Sequence, residues 1–358
     1  MALFKREFIF SFAITVLVGS GLLTVVWHLS LTLKNKHFVP LSQDTLRSET
    51  NSSKREETTR STNRLKPLDL FIAIVSAPSR GVRRTAIRET WLSTIPYYPG
   101  IEARFFTDSI GLEDGIKANL TRERDQYGDL EFSPVTAGIL MAHRLLWAMF
   151  WAYGRYDFKF FLRTDDDYFV CLNHLHFDIQ KRKHEEFLYW GWLHCNQGVV
   201  RIDEGFLIVD NEFVRELISR NTSLVCHPYG DIAVRIWVDQ FQQDRMKISF
   251  FADNPRLVHQ RSGLGDHDLS ADLCSKFMGI HQAYPSYMRA YWDLVKASWR
   301  NVTFPEVARQ PYEVYCRWWQ YDWRNMFPPY RHEPRPCWGP NSGWPELSKI
   351  KMHEGREK

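Results

Sequence analysis

The 358-residue sequence lacks the short patterns that identify several common classes of protein. It contains no GxGxxG and no Walker A pattern, which argues against a Rossmann dinucleotide site and a P-loop. Its six cysteines show no C-x-x-C spacing of the zinc-binding kind and leave 15 disulfide pairings open. The net charge is only +4 and the basic residues are dispersed, so nucleic acid is not a favoured partner.

Charged side chains are also absent from a long apolar run near the N-terminus. Residues 8–33 contain no Asp, Glu, Lys or Arg. As a helix they would reach about 39 Å, enough to cross a hydrocarbon core of roughly 30 Å. The run exceeds the apolar core of a cleaved signal peptide and has no clear small-x-small site. The sequence therefore predicts a short cytoplasmic tail (1–7) and a membrane-spanning signal anchor (8–33).

Glycosylation patterns indicate which side of the membrane the rest of the chain occupies. Basic residues flank the apolar run on both sides and do not decide its orientation. Four N-x-S/T acceptor patterns are spread through the body, and they matter only in a lumenal protein. The four begin at Asn51, Asn119, Asn221 and Asn301. Together with the cysteines, they predict a single-pass type II protein with a lumenal body.

Composition divides the lumenal part into three segments. Residues 34–66 are mostly polar and cannot bury enough surface to fold alone, which predicts a flexible stem. Residues 67–299 are predicted to form the folded body. Residues 300–358 are rich in Trp, Tyr and Pro and form a C-terminal extension predicted to pack on that body. Its aromatic residues either stack on sugars or, more simply, pack against the protein.

Alternating patterns in the body predict an α/β fold. The apolar run 70–75 is typical of a strand covered on both faces, and a helical pattern follows it. The alternation continues with a second strand near 103–106, a polar helix near 112–124, an apolar helix near 137–151 and a strand at 158–162. This order predicts a mostly parallel sheet flanked by helices, which binds ligands beyond the carboxyl ends of its strands.

Three consecutive aspartates follow the strand at 158–162. Asp165, Asp166 and Asp167 are expected at the carboxyl edge of the sheet. Carboxylates at i and i+2 of an extended chain point the same way and can share one hard cation. The alternative is a solvated acidic loop. The triplet predicts a site for Mn²⁺ or Mg²⁺ that holds a nucleotide diphosphate.

Other polar residues are expected at the same edge. Ser76 ends the first strand of the body and is a candidate contact for uracil or ribose. Arg84 and Arg88 are four residues apart on one helix face, where both could meet a diphosphate. The alternative for the two arginines is a solvated basic face.

Five ordered motifs resemble the inverting β-1,3-galactosyltransferase and β-1,3-N-acetylglucosaminyltransferase family of type II Golgi enzymes. They are R-T-A-I-R-E-T-W at 84–91, R-T-D-D-D-Y-F-V at 163–170, Y-W-G at 189–191, G-F at 205–206, and the late segment containing His281 and Gln282. The match covers roughly residues 68–295. It implies a GT-A-like fold that takes a UDP-sugar, with localisation in the Golgi membrane.

The resemblance also implies roles for individual residues. Asp167 and His281 would bind Mn²⁺, with His259 as the rival histidine, and an imidazole ligand favours Mn²⁺ over Mg²⁺. Asp165 would contact ribose or metal-bound water, and Asp166 would support the site. Asp231 would be the catalytic base that accepts a proton from the acceptor hydroxyl.

The sequence departs from the family pattern on the acceptor side. The usual Glu-Asp-Val motif reads Gly230-Asp231-Ile232, and the G-x-G-Tyr turn is represented by residues 203–206, Asp-Glu-Gly-Phe. The Tyr-x-Asn-Leu-Thr-x-Lys segment is missing near 138–144. These changes leave the acceptor and the sugar less defined than the UDP and metal half.

The expected function is transfer of a hexose, most simply galactose, from a UDP-hexose to a glycan acceptor in protein glycosylation. Transfer of N-acetylglucosamine or N-acetylgalactosamine is an alternative. A lumenal non-catalytic binder or chaperone of the same fold is another, motivated by Gly230. A phosphohydrolase using the aspartates fits less well, because position 169 is Phe.

Overall fold

The computed structural model describes residues 11–18, 21–28, 65–136, 138–195, 199–300, 302–305, 307, 312–317, 321–339, 341–344 and 347. It divides into two compact units, Met1–His37 and Phe38–Lys358. The first unit contains two antiparallel strands, β1 (Ser11–Val18) and β2 (Gly21–His28).

These two strands lie within the stretch predicted to form a membrane-spanning helix. The predicted helix, residues 8–33, is not found: its described part is a strand pair. An uncharged apolar run does not by itself distinguish a helix from a strand, because it lacks the alternation of polar and apolar residues that separates the two. Among the described residues, no helix combines the length and apolar character needed to cross a membrane. The predicted tail (1–7) and most of the predicted stem (34–64) lie outside the described residues.

The second unit is built on a seven-stranded sheet. Its strands are β3 (Lys66–Val75), β4 (Ile101–Ile110), β5 (Leu130–Thr136), β6 (Tyr156–Asp165), β8 (Leu188–His194), β9 (Arg201–Asp210) and β11 (Ser249–Ala252), with β7 (Phe169–Val170) and β10 (Val225–Cys226) outside it. The spatial order is β11-β8-β9-β6-β3-β4-β5. Strand β9 runs antiparallel to both of its neighbours, and the remaining pairs are parallel.

Helices cover both faces of this sheet. They are α1 (Gly81–Glu89), α2 (Asp114–Tyr127), α3 (Met141–Tyr153), α4 (Leu172–Lys181), α5 (Asn211–Ser219), α6 (Gly230–Gln243), α7 (Leu273–Lys276) and α8 (Pro285–Val295). A small sheet joins β7 to β12 (Leu257–Val258) and β13 (Gly279–Ile280). The predicted mixed α/β fold with a mostly parallel, helix-flanked sheet is confirmed, and it fits a GT-A-like fold.

Alternation along β3 explains how the two faces are covered. Phe71 and Ala73 pack in the core that contains α3, α5 and α6, whereas Leu70, Ile72 and Ile74 pack in the core that contains α1, α4 and α8. Successive side chains of a strand point to opposite faces, so an unbroken apolar run supplies both cores. This burial places β3 in the interior of the sheet.

Three disulfides pair all six cysteines: Cys171–Cys274, Cys195–Cys316 and Cys226–Cys337. Two of them join the C-terminal extension to the body. Trp344 of the extension is buried in the core beside α3, and β14 (Arg335–Pro336) pairs with β10. Closing loops of about 100 residues removes roughly 4 to 5 kcal/mol of chain entropy per disulfide in the simplest model.

Two buried histidines hold the extension and make its packing sensitive to acid. His143 shares a hydrogen bond with the Cys337 carbonyl at 3.1 Å, and His227 with the Tyr330 carbonyl at 3.1 Å. Burial lowers the pKa of His143 to about 4 and that of His227 to about 3. Both are therefore neutral in the folded protein at pH 5, where they would be protonated in the unfolded chain.

We expect stability to be full above pH 6.5 and to fall as the pH drops towards 4. Each histidine contributes at most about 2 kcal/mol between pH 7 and pH 5. The melting temperature should fall over this range, and His143→Gln should remove part of the fall, as measured by differential scanning calorimetry. The control His184→Gln, at an exposed histidine, should leave the pH dependence unchanged. An equal fall in all three proteins would contradict this explanation.

Candidate functional site

The carboxyl edge of the sheet gathers the residues predicted to be functional. Val75 pairs with Asp165, so Ser76 lies beside the aspartate triplet. Strands β12 and β13 end just before His259 and His281, and β13 pairs with β7 directly after the triplet. The small sheet therefore brings the two histidines to the aspartates.

Asp166 anchors the triplet and faces the interior. Its carboxylate accepts hydrogen bonds from Ser76 Oγ at 2.8 Å, Arg83 Nη1 at 2.9 Å and Arg80 Nη1 at 3.1 Å. Burial raises its pKa, and the two arginines oppose that rise. With its side chain fully buried, Asp166 positions the loop, and its supporting role at the site stays a prediction.

Asp167 and His281 face each other at the site. Asp167 Oδ1 lies 3.4 Å from His281 Nε2, and Arg83 Nη1 lies 3.3 Å from Asp167 Oδ2. Burial alone would lower the pKa of His281, but the adjacent Asp167 carboxylate raises it to about 9. Tyr168 stacks on the His281 ring at 4.8 Å and fixes its plane.

This pair has the donor set of a divalent cation site. His281 Nδ1–H donates to the His259 carbonyl at 2.9 Å, which leaves Nε2 facing Asp167, and a cation held between the two would take the place of the Nε2 proton. Histidines that bind metals commonly donate their second nitrogen in this way. A carboxylate oxygen with an imidazole nitrogen suits Mn²⁺. Asp167 and His281 therefore fit the predicted metal.

A second group of possible ligands lies next to this pair. One ligand atom from each of His194, Asp203 and His259 lies within 4.8 Å of the others. His194 Nε2 is 2.7 Å from Asp203, and burial of Asp203 is outweighed by the neighbouring histidines, which lower its pKa. The His259 and His281 rings are 5.5 Å apart. His259 is therefore a neighbour of the Asp167–His281 pair and contributes its backbone carbonyl.

Arg84 and Arg88 share one helix face, but that face lies against acidic residues rather than the triplet. Both guanidinium groups bind Glu123, at 2.7 and 2.8 Å, and Arg88 also binds Asp129 at 2.7 Å. Arg84 additionally donates to Ser76 Oγ at 2.9 Å. Their diphosphate role stays a prediction that these contacts do not favour. A sequence shows which residues share a face, not where that face points.

Arg80 and Arg83 instead point to the aspartates. Both donate to Asp166, and Arg83 also reaches Asp167. Arg83 stacks over the Tyr284 ring at 4.9 Å. Sequence reasoning missed this pair. The available signal was that Arg80 and Arg83 are three residues apart, directly after the loop that follows β3, and so lie on one face at the start of α1.

Asp231 lies in the first turn of α6, but it is not the cap of that helix. Tyr229 occupies the N-cap position, and Asp231 Oδ1 accepts from the Ile232 amide at 2.8 Å. Its other oxygen forms a buried ion pair with Arg201 Nε. Arg201 starts β9, and sequence reasoning gave it no role. The helix N-terminus and Arg201 both stabilise negative charge on Asp231.

Arg163 links the triplet to the region of Asp231. Its Nη2 lies 2.8 Å from Asp165 Oδ1, and its Nη1 donates to the Glu204 carbonyl. Asp165 is the most exposed aspartate of the three, with 29% of its side chain accessible. Burial raises the pKa of Glu204 to about 8 despite the nearby Arg163. Sequence reasoning assigned no function to Arg163 or Glu204.

Trp91 explains part of the first motif. The Trp91 ring is buried, and its Nε1 donates to the Tyr168 carbonyl at 3.2 Å. Thr90 Oγ1 bonds the Ala86 carbonyl at 2.7 Å and closes the end of α1. Through Trp91, the motif packs against the loop that follows β6. The same loop is held by a second hydrogen bond, from the Ala283 amide to the Asp167 carbonyl at 2.8 Å.

Comparison with known proteins identifies related enzymes, although no family model matches the chain. The chain is 34% identical over 131 residues to beta-1,3-galactosyltransferase 6 of Mus musculus, a match covering 34% of this chain and 40% of that protein. It is 28% identical over 141 residues to beta-1,3-galactosyltransferase GALT1 of Arabidopsis thaliana, covering 38% and 22%. Hydroxyproline O-galactosyltransferase GALT2 of the same plant is 21% identical over 212 residues, covering 51% and 30%.

These matches confirm the resemblance predicted from the motifs: the chain is related to the β-1,3-galactosyltransferase family. The matched segments span less than half the length of each relative, from 22% to 40%.

Proposed function

We propose that this protein is a metal-dependent inverting galactosyltransferase that moves galactose from UDP-galactose to a glycan acceptor in β-1,3 linkage. The observation that carries the proposal is the Asp167–His281 pair at the carboxyl edge of the sheet, with His281 Nε2 directed to the carboxylate. The names of the related proteins support galactose as the sugar.

The donor half of the site comprises the triplet and the residues around Ser76. Asp167 and His281 would hold Mn²⁺, which when bound supplies Lewis acidity to the departing diphosphate. Arg83 and Arg80 lie where a diphosphate beside Asp167 would meet positive charge. Ser76 and the accessible Asp165 are the candidates for nucleoside contacts.

The acceptor half is centred on Asp231. A sugar hydroxyl is a weak nucleophile, so Asp231 accepts its proton while the oxygen forms a bond to the anomeric carbon. The bond from that carbon to the UDP oxygen breaks in the same displacement. Attack from the opposite side converts an α-linked donor into a β-linked product. The ion pair with Arg201 holds the Asp231 carboxylate in place at the start of α6.

The proposed setting is a lumenal, disulfide-forming compartment, with the catalytic unit anchored to the Golgi membrane. The three disulfides and the glycosylation patterns support an oxidising lumen. Protein glycosylation is the process we assign to the activity. The acceptor is a glycan on a protein or a lipid.

A donor screen tests the proposed activity. The full-length chain is incubated with UDP-galactose, UDP-N-acetylglucosamine or UDP-N-acetylgalactosamine, a panel of p-nitrophenyl β-glycosides, and either Mn²⁺ or EDTA. We expect transfer from UDP-galactose with Mn²⁺ only. Preference for another donor would reassign the sugar. No transfer or donor hydrolysis, with UDP still bound, would instead indicate a non-catalytic relative.

Arg83→Gln should weaken UDP binding about tenfold or more, because hydrogen bonds to charged groups contribute roughly 1.5 to 3 kcal/mol. Isothermal titration with UDP and Mn²⁺ measures this affinity. The matched variant Arg88→Gln removes an arginine of the same helix that pairs with Glu123 and Asp129. It should lower the melting temperature but leave UDP affinity within about twofold. A larger loss of affinity in Arg88→Gln would restore the assignment made from the sequence.

A further inference from the structure

Gly230 has no side chain, and the space in front of it is filled by another residue. A Cβ atom at Gly230 would lie 2.0 Å from Glu204 Oε2 and 3.1 Å from Glu204 Cδ. No real Cβ atom tolerates a contact of 2.0 Å, so the Glu204 carboxyl occupies the volume that a side chain at 230 would enter. Although positions 204 and 230 are 26 residues apart in the sequence, the Glu204 carboxyl and a side chain at 230 would occupy the same volume.

The Glu204 carboxyl reaches this place because β9 is antiparallel. Thr164 of β6 pairs with Phe206 of β9, which brings the first residues of β9 to the edge where β6 ends. Arg163 holds the Glu204 backbone through its carbonyl. The strand therefore fixes the main chain of Glu204 and directs its carboxyl towards Gly230 and the start of α6.

One oxygen of this carboxyl lacks a partner. Glu204 Oε2 has no hydrogen-bond partner among the described residues, although only 12% of the Glu204 side chain is accessible. The nearest guanidinium nitrogen, Arg163 Nη2, is 3.9 Å away, beyond hydrogen-bond reach. A buried polar oxygen without a partner is costly, and a hydroxyl of a bound ligand would satisfy it.

The position of Glu204 lies between the two halves of the proposed site. On one side, Arg163 connects it to Asp165 of the triplet. On the other side, Asp231 directly follows Gly230 and interacts electrostatically with Glu204. An acceptor sugar whose hydroxyl approaches Asp231 would pass within reach of Glu204 Oε2.

We propose that Glu204 is an acceptor-binding carboxyl of the transfer site, which supplies from β9 the acidic group that this chain lacks at position 230. Glu204 Oε2 forms a hydrogen bond with a hydroxyl of the acceptor sugar and positions that sugar for proton transfer to Asp231. The inference rests on the proposed function and adds a residue to it.

A relocation experiment tests this assignment. Four variants of the full-length chain are compared with wild type: Glu204→Gly, Gly230→Glu, the double variant that combines them, and Glu204→Gln. The readouts are KM for the best p-nitrophenyl glycoside, KM for UDP-galactose, kcat and the melting temperature. Gly263→Glu is the matched control for adding a carboxyl, because a Cβ there meets no atom of the described residues within 4 Å.

We expect Glu204→Gly to raise the acceptor KM about tenfold or more and to leave the UDP-galactose KM within about twofold. Gly230→Glu should lower activity, because its side chain displaces the Glu204 carboxyl from this place. The double variant should recover an acceptor KM within about threefold of wild type, a strongly non-additive result. Glu204→Gln keeps the shape and should still raise the acceptor KM several-fold, while Gly263→Glu should match wild type.

Three results would overturn the assignment. An acceptor KM within twofold of wild type in Glu204→Gln would mean that the carboxyl does not serve the acceptor. A double variant that melts like wild type but binds acceptor no better than Glu204→Gly would mean that position 230 cannot replace it. Absence of transfer by the wild type itself would remove the proposed function and this inference with it, whereas the first two results remove the inference alone.

Discussion

Asp167→Asn is expected to lower Mn²⁺-dependent transfer from UDP-galactose by about a hundredfold or more. The substitution replaces the proposed charged oxygen ligand, which lies 3.4 Å from His281 Nε2, with a neutral amide. Loss of an outer-shell partner of a metal ligand already costs 10- to 100-fold in affinity or activity, so loss of a ligand should cost at least as much. Initial rates over a Mn²⁺ titration measure the effect.

A separate binding measurement keeps this result interpretable. Electron paramagnetic resonance should show weaker Mn²⁺ binding by Asp167→Asn at an unchanged melting temperature. The control Asp125→Asn removes an exposed carboxylate, 64% accessible, and should match wild type in both assays. Transfer by Asp167→Asn within twofold of wild type would show that the metal assignment is wrong.

Asp231→Asn is expected to lower kcat by about 10² to 10⁴, the range that a positioned general base contributes. The amide cannot take the proton of the acceptor hydroxyl, whereas the donor half of the site is unchanged. UDP affinity should therefore stay within about twofold of wild type. Single-turnover rates and isothermal titration with UDP and Mn²⁺ measure the two effects.

The ion pair with Arg201 makes a control necessary, because Asp231→Asn also leaves a buried guanidinium without its partner. Asp244→Asn removes a carboxylate that follows the same helix and pairs with Arg220. It should leave kcat unchanged. If Asp231→Asn loses UDP affinity together with kcat and melts far below wild type, Asp231 holds the fold rather than accepting the proton.

The sequence predicted the elements whose signals are local. Residues close together in the chain were enough to predict strand β3, strand β6 with the aspartate triplet at its end, and helix α1 between β3 and β4. Because parallel strands end at one edge, the meeting of Ser76 with Asp166 could also be expected. These features depend on pattern and chain direction alone.

Features that depend on long-range geometry could not be predicted in the same way. The antiparallel insertion of β9 places Arg201 and Glu204 in the site, and no local pattern reports strand direction. The face of α1 that meets the triplet carries Arg83, whereas Arg84 lies about 100° further round the helix and pairs with Glu123 of α2. Disulfide partners lie more than 100 residues apart.

The product of the reaction tests the central claim most directly. The full-length chain is incubated with UDP-galactose, Mn²⁺ and the best glycoside acceptor, and the isolated product is analysed by nuclear magnetic resonance. We expect a new galactose joined to O3 of the acceptor, with the large anomeric coupling of a β linkage. An α-linked galactose, or only free galactose and UDP, would contradict inverting transfer through Asp167, His281 and Asp231.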